Sequence, residues 1–386
     1  MAVINMSAPA RGTAQHGQPA VLFIDDVGWD CFFQLAAGLK RAGIRTIRVT
    51  RSRRTRTASL LLFDRAIHHS DSAGHLDLPG ILEGEDIIDV QMTENMVTAA
   101  GKEFTLLPRT QRTEAWTRRA AVMDKLLVAE RLGELGFFTP PVLTGPNADA
   151  DQIIQRLGLP VMRKLRTASG GEGMSIVRTR EELETLLTKD QRSDSYFFER
   201  CIEGRQLQVA GVFGDGDDAV VTYETLQRRS ALAPASLIRT IDDPGLVETG
   251  RAAVKALGIA GMININVIRD AEGRDWIHDV NPRVFGSFMA FRTVGVDLLQ
   301  AYVEWLRTTP GLPADRQGDE NSLVVFPAAF RTDSGGSPSW KINGILRAAG
   351  SYRHWAGPRY VAYEIGRQLV YEMKRRLNRQ GWPPTR

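Results

Sequence analysis

The chain has 386 residues, of which 43% are hydrophobic and 24% charged, the composition of a globular protein with room for two or three domains. Its net charge of +4 comes from dispersed arginines, without the helix-turn-helix spacing or aromatic–basic interleaving that nucleic-acid binding requires. No apolar run reaches the roughly eighteen residues of a membrane span. Residues 1–18 are small and polar, lack the apolar stretch of a secretory signal, and read as a disordered tail. Cys31 and Cys201 lie far apart and offer no metal spacing, so the expected compartment is a reducing cytoplasm.

In chain order, Val21–Asp25 is a continuous apolar run, as in a buried parallel strand. A helix is predicted from Trp29 to Arg41, closed by Gly43, and a second strand from Ile44 to Val49. Further strands are predicted at Leu60–Phe63 and Asp86–Val90. Such a start implies an open α/β layer, with polar residues Asp25, Asp26 and Gly28 at a strand's carboxyl end. The run Arg51–Arg56 and the pair His68–His69 read as solvated loops. One helix is predicted over Arg112–Leu132, then strand 142–143, helix 148–157, strand 161–165 and helix 180–187. Strands at 196–202, 207–213 and 219–225 suggest an antiparallel run. Helix 244–257, strands 262–268 and 275–280, and helix 294–307 complete the predicted core. Past residue 310 only a helix over Tyr360–Asn378 is legible.

Five segments carry chemistry. Asp279-Val-Asn281-Pro-Arg283 puts an acid and an amide at alternate strand positions, on one face together with Ile277, while His278 and Val280 point the other way. Two neighbouring oxygen ligands suit a hard cation such as Mg²⁺. Asn264-Ile-Asn266 repeats the spacing on the preceding strand, which the turn Arg269–Gly273 joins into a hairpin. Upstream, the strand holding Lys164 runs into Ser169-Gly170-Gly171-Glu-Gly173, a loop whose glycines allow backbone N–H groups to approach phosphate. It is not a P-loop, because no Gly-Lys-Ser/Thr follows. Between these lies Glu199-Arg200-Cys-Ile202-Glu-Gly204-Arg-Gln206, and earlier still Asp124-Lys125.

In this order the pieces resemble the ATP-grasp superfamily, most closely its carboxylate–amine ligase and carbamoyl-phosphate-synthetase-like branch, over roughly residues 20–310. Only eight lysines occur in the chain, and two fall at family positions. The resemblance implies an N-terminal open α/β (pre-ATP-grasp-like) domain at 19–112, a two-subdomain ATP-grasp fold at 113–310 and a C-terminal extension at 311–386. It implies ATP with Mg²⁺ (or Mn²⁺) as cofactors, and small-molecule carboxylate and amine substrates. No nucleic acid or membrane partner is expected; a homodimer is compatible. Lys125 and Lys164 would contact phosphates beneath a loop of Ser169, Gly170, Gly171 and Gly173. Glu199 would take the adenine amino group, and the Arg200 and Ile202 backbone would cover the ring. Gln206 stands where many members carry a ribose-binding Glu. Asp279, Asn281 and Asn266 would hold the metal, while Arg283 would contact the γ-phosphate or acylphosphate. The implied reaction is ADP-forming amide synthesis through an acylphosphate. Another ATP-grasp transfer, or a nucleotide-binding module without catalysis, stays open at this point.

Overall fold

The computed structural model describes residues 4–6, 18–26, 28–51, 56–69, 76–144, 148–168, 170–189, 193–214, 219–228, 235–307, 322–325, 360, 363 and 366. The N-terminal part comprises β1 (Ile4–Met6), β2 (Pro19–Asp25), α1 (Asp30–Arg41), β3 (Arg45–Thr50), α2 (Arg56–Leu62), β4 (Arg65–His68), α3 (Leu78–Leu82), β5 (Asp86–Met92) and α4 (Val97–Phe104). Its sheet runs β1-β4-β3-β2-β5. All neighbours are parallel except β1, which is antiparallel to β4. The apolar run on β2 is explained by layers on both faces. Val21 and Phe23 pack toward α1, whereas Ala20, Leu22 and Ile24 pack toward α4.

Next come α5 (Gln111–Val122), α6 (Lys125–Glu134), β6 (Val142–Leu143), α7 (Ala150–Leu157), β7 (Val161–Leu165), β8 (Ser175–Val177), α8 (Arg180–Lys189) and β9 (Tyr196–Arg200). Their antiparallel four-stranded sheet is ordered β6-β9-β7-β8. The third layer holds β10 (Arg205–Phe213), β11 (Ala219–Arg228), β12 (Ala235–Ile241), α9 (Pro244–Leu257), β13 (Gly261–Arg269), β14 (Asp275–Asn281), α10 (Leu298–Leu306) and β15 (Ser322–Val324). Its antiparallel six-stranded sheet is ordered β14-β13-β10-β11-β12-β15. One face of that sheet buries Val209, Ile263 and Ile265 with Leu246 and Val254 of α9. On the other, Ala210, Val212 and Met262 share a core with α10 and with Phe32 and Phe33 of α1, so the N-terminal layer is packed directly on it.

Several expectations change. Ile4–Met6 lies in the expected tail yet forms a strand. Leu60 and Leu61 belong to helix α2, and the strand follows at Arg65–His68, where Ala66 and Ile67 are buried between Arg65 and His68. His68 and His69 are buried, not solvated. Helix 112–132 breaks at Asp124, whose carboxylate accepts from the Leu126 and Leu127 N–H groups and starts α6 at Lys125. Helix 294–307 divides into a 3-10 turn over Ala290–Val294 and α10, capped by Asp297. The strand β12 was not legible, because Arg239 and Thr240 interrupt its apolar pattern. The six-stranded sheet also passes residue 310, since β15 pairs with β12. Residues 52–55 of the arginine run, and the helix expected over Tyr360–Asn378 apart from Tyr360, Tyr363 and Gly366, lie outside the described residues.

Gly204 has a steric explanation. It turns the chain between β9 and β10, where a Cβ would sit 2.1 Å from the backbone oxygen of Arg269. Backbone cannot swing aside as a side chain can, so Gly204→Ala is expected to destabilise the protein by roughly 1–3 kcal/mol. Urea denaturation of the variant against wild type measures this.

Candidate functional site

The site forms where the four-stranded sheet faces the end of β14. Lys164 on β7 opposes Phe197 of β9, and Met162 opposes Glu199. Lys164 and Glu199 are therefore diagonal neighbours on one face. The Lys164 ammonium donates to Glu199 Oε1 at 2.5 Å and to the His278 carbonyl at 3.1 Å. Lys125, the first residue of α6, donates to Asp279 Oδ1 at 2.8 Å. Its helix is tied to the strand carrying Lys164: Arg166 clamps Asp124 at 2.6–3.2 Å, and the Lys125 N–H donates to the Arg166 carbonyl. Two lysines from different elements thus meet at adjacent residues of β14.

The face assignment on β14 needs a correction. Asn266 pairs with Asp279 while Val267 pairs with Ile277, which leaves an extra residue, His278, in a bulge. Ile277 and Val280 consequently enter the same apolar core, although they are three positions apart. Asp279 and Asn281 stay on the opposite face. Both Asn266 Nδ2, at 3.3 Å, and Asn281 Nδ2, at 2.9 Å, donate to Asp279 Oδ2. Arg283 donates to Asn281 Oδ1 at 3.1 Å, to the Val284 carbonyl, and through Nε and Nη2 to Glu94 Oε1 at 3.0 and 2.5 Å. Its guanidinium carbon lies 4.1 Å from the centre of the Trp29 ring. Of five guanidinium N–H groups these bonds leave one, on Nη1, for a ligand.

Electrostatics follow from the burial. Desolvation opposes charge on Asp279, yet the nearby Lys125 holds its carboxyl well below the usual range. Burial likewise works against the Lys125 ammonium, but Asp279 and then Glu94 raise it above its ordinary value. Burial pushes Glu199 up, opposed by Lys164. His278 is depressed to about 3 by burial and by the Lys164 charge, so it is neutral at physiological pH.

The loop between β7 and β8 turns through Gly170, Gly171 and Gly173 at φ of 64°, 84° and 66°. A Cβ at Gly173 would meet Leu165 Cδ1 at 2.1 Å. Glu172 in this loop accepts from Asn95 of the N-terminal layer at 3.0 Å. Ser169 lies outside the described residues. The structure brings Lys125, Lys164, Glu199, Asp279, Asn281, Asn266 and Arg283 together. It places two others at the margin. Gln206 is exposed at the start of β10, accepting from Arg228 at 2.9 Å, and the Arg200 side chain turns away to the Arg156 and Leu157 carbonyls. The Arg200 N–H is spent on the Pro141 carbonyl, and Ile202 is half-buried in the connection that follows β9.

Oxygen donors dominate the metal candidates. Among the described residues no three His, Cys, Asp or Glu side chains form a metal set. One carboxylate with two amides fits a hard cation that takes its remaining ligands from phosphate and water. Asn266 would present its oxygen in place of NH₂ by a half-turn about the terminal side-chain bond, whereas the Asn281 oxygen, already oriented by Arg283, keeps a second lone pair for the ion.

Sequence reasoning missed Trp29, Glu94, Tyr223 and Ser287. Tyr223 accepts from Asn264 at 2.8 Å and from the Ser287 hydroxyl at 3.0 Å, and its burial pushes the phenol up to about 12. Glu94 follows a parallel strand at its carboxyl end, a position that could have been flagged.

Residues 124–306 match the family described as Carbamoyl-phosphate synthase L chain, ATP binding domain. The chain is 30% identical over 141 residues to the carbamoyl phosphate synthase large chain of Clostridium perfringens, covering 33% of this chain and 13% of that one. It is 30% identical over 173 residues to the D-alanine–D-alanine ligase of Chromohalobacter salexigens, covering 41% of this chain and 54% of that one. The chain therefore spans 13% and 54% of the length of these two relatives. Among solved structures, N5-carboxyaminoimidazole synthetase from Staphylococcus aureus complexed with ADP superposes with a TM-score of 0.61 at 14% identity, covering 79% of this chain and 82% of that one. The L-amino acid ligase from Bacillus licheniformis gives 0.56 at 17% identity, covering 75% and 74%. No helix among the described residues is long and apolar enough to cross a membrane.

The cysteines offer a check on this packing. Cys31 is buried under Val284 and its thiol is pushed up to about 12, first by burial, while Cys201 is half-buried beside Glu199. At pH 8 native protein should be alkylated at Cys201 alone, with Cys31 reacting only in denaturant, as mass mapping of the adducts will show.

Proposed function

We propose that this chain, a member of the ATP-grasp superfamily, is an ATP-dependent ligase that joins a carboxylate to an amine and releases ADP and phosphate. The observation that carries this reading is the meeting of Lys125 and Lys164 at adjacent residues of β14. Two ammonium groups from separate elements, one of them on the strand that runs into the glycine loop, supply what a transferring phosphoryl group needs: position and charge compensation. Likeness to a D-alanine–D-alanine ligase and an L-amino acid ligase adds support for amide formation.

In this reading a substrate carboxylate attacks the γ-phosphorus, and the bond to the β-phosphate oxygen breaks to release ADP. An amine then attacks the acyl carbon and phosphate leaves. Lys125 and Lys164 would exchange a carboxylate partner for phosphate oxygens. Arg283 would offer its remaining Nη1 N–H to the reacting acyl group, held in place by Glu94 and Trp29. Glycine-loop backbone N–H groups would cover the triphosphate and exclude water. Glu199 and the Arg200–Ile202 backbone would border the adenine. Asp279, Asn281 and Asn266 would hold a divalent cation, which when bound offsets charge on the phosphates.

The test is incubation with ATP, a pool of carboxylic acids and hydroxylamine. Hydroxamate should form in step with ADP, and AMP as the sole nucleotide product would overturn the route. Because residues 124–306 match a carbamoyl-phosphate synthase domain, bicarbonate is the second acid to supply, and ADP release on bicarbonate alone would favour carbamoyl or carboxyl transfer. Saturating ATP should also slow Cys201 alkylation by at least about fivefold, since that thiol lies between Glu199 and Ile202.

A further inference from the structure

Among the described residues, Glu94 is the one acid at the site that belongs to the N-terminal layer. It stands on a 3-10 turn, Glu94–Met96, directly after β5. That turn is fixed in place. The Thr93 hydroxyl and the Asn95 amide both donate to Asp26 at 3.0 Å, and the Thr93 N–H donates to the Ile24 carbonyl at 3.0 Å. Glu94 is 2% exposed. A carboxylate that served only as the counter-ion of Arg283 would use both oxygens in a two-pronged fork. Here Oε1 takes both Arg283 donors, and Oε2 is buried with no hydrogen-bond partner among the described residues. An unmet buried charged oxygen costs more than a neutral one, so this oxygen calls for a donor that the described residues do not supply.

The neighbouring charges say what kind of donor fits. Arg283 holds Glu94 through Nε and Nη2 and, among the described residues, keeps one N–H on Nη1 without an acceptor, while Lys125 lies close enough to feel the Glu94 charge. A guanidinium N–H and an unpaired carboxylate oxygen in the same site complement the two ends of a zwitterion. Building on the ligase reading above, we propose that Glu94 Oε2 receives the primary ammonium of the acid substrate, so that the enzyme activates amino acids and discriminates against simple carboxylic acids. Glu94 is then a specificity residue that touches substrate, and the N-terminal layer reads the substrate while the other layers hold the nucleotide.

The experiment compares amino acids with their des-amino counterparts, alanine with propionate and phenylalanine with 3-phenylpropionate among them, in wild type and Glu94→Gln. ADP release gives kcat/KM, and calorimetry with a non-hydrolysable ATP analogue present gives binding without turnover. The proposal expects at least one amino acid to exceed its des-amino acid by about 100-fold or more in wild type, because a site with a buried partner for N–H rejects a ligand that lacks it. Glu94→Gln should lose most of that preference, with nucleotide affinity kept and a native fold verified by circular dichroism, although losing the Arg283 ion pair lowers the thermal midpoint. Equal use of the paired acids by wild type overturns it, with no variant needed. So does a Glu94→Gln defect that falls equally on both acids, or only on the KM of the amine partner. If no acid releases ADP the ligase reading fails by itself, and calorimetry still decides: amino-acid binding lost in Glu94→Gln supports the ammonium site, and binding that is absent from wild type or unchanged in the variant overturns it.

Discussion

Three cations and three anions are held together out of bulk water at the end of β14. Lys125, Lys164 and Arg283 face Asp279, Glu199 and Glu94, and each cation has a carboxylate within 2.8 Å. Burying any one of these charges alone would cost several kcal/mol, so the groups are tolerable only as a set. That constraint organises the surrounding structure. Each anion comes from a different sheet: Glu94 follows the parallel layer, Glu199 lies on the four-stranded sheet, and Asp279 lies on the six-stranded one. The three layers meet where their charges cancel. A polyanion entering there meets ammonium groups already positioned and partly desolvated, which is the preorganisation that phosphoryl transfer rewards.

Two local devices make the convergence possible. The bulge at His278 turns Ile277 and Val280 into one core while Asp279 and Asn281 face the site. It also leaves the His278 carbonyl free to accept from Lys164. The break at Asp124 does the same for α6: the Asp124 carboxylate caps the helix and binds Arg166, so Lys125 starts a helix anchored to the strand of Lys164. Farther away, Asp89 gathers Tyr302, Gln91 and Arg119, and Arg119 continues to the Ala260 carbonyl, so β5 is joined to β13 and α10 by buried polar contacts. Glu94 and Trp29 reach Arg283 because these contacts, with the shared apolar core, hold the N-terminal layer in place.

Most of this site was legible as residues, and less of it as geometry. The alternation Asp279–Asn281, the glycine loop and the strand bearing Lys164 are local patterns, visible wherever spacing sets which side chains share a face. The bulge was not legible, because an inserted residue changes the period of two and His278 carries no turn signal of its own. The helix break at Asp124 was hidden inside a run of good helix formers, although an acid two residues before Leu126 is a cap in retrospect. Glu94 could not be ranked from sequence. Its meaning comes from Arg283, 189 positions away, and only the folded chain shows that one of its oxygens has no partner among the described residues. Likewise β12 hides behind Arg239 and Thr240, whose polarity is explained by Glu224 on the neighbouring strand in the case of Arg239.

The central claim is that the two converging ammonium groups bind the phosphates of ATP. Calorimetric ATP affinity of Lys125→Met and Lys164→Met, each checked for an intact fold, tests it most directly. Loss of a charged hydrogen bond to phosphate should weaken binding by about tenfold or more in each variant. Wild-type affinity in both folded variants would show that the lysines serve only to balance buried carboxylates, and would contradict the account.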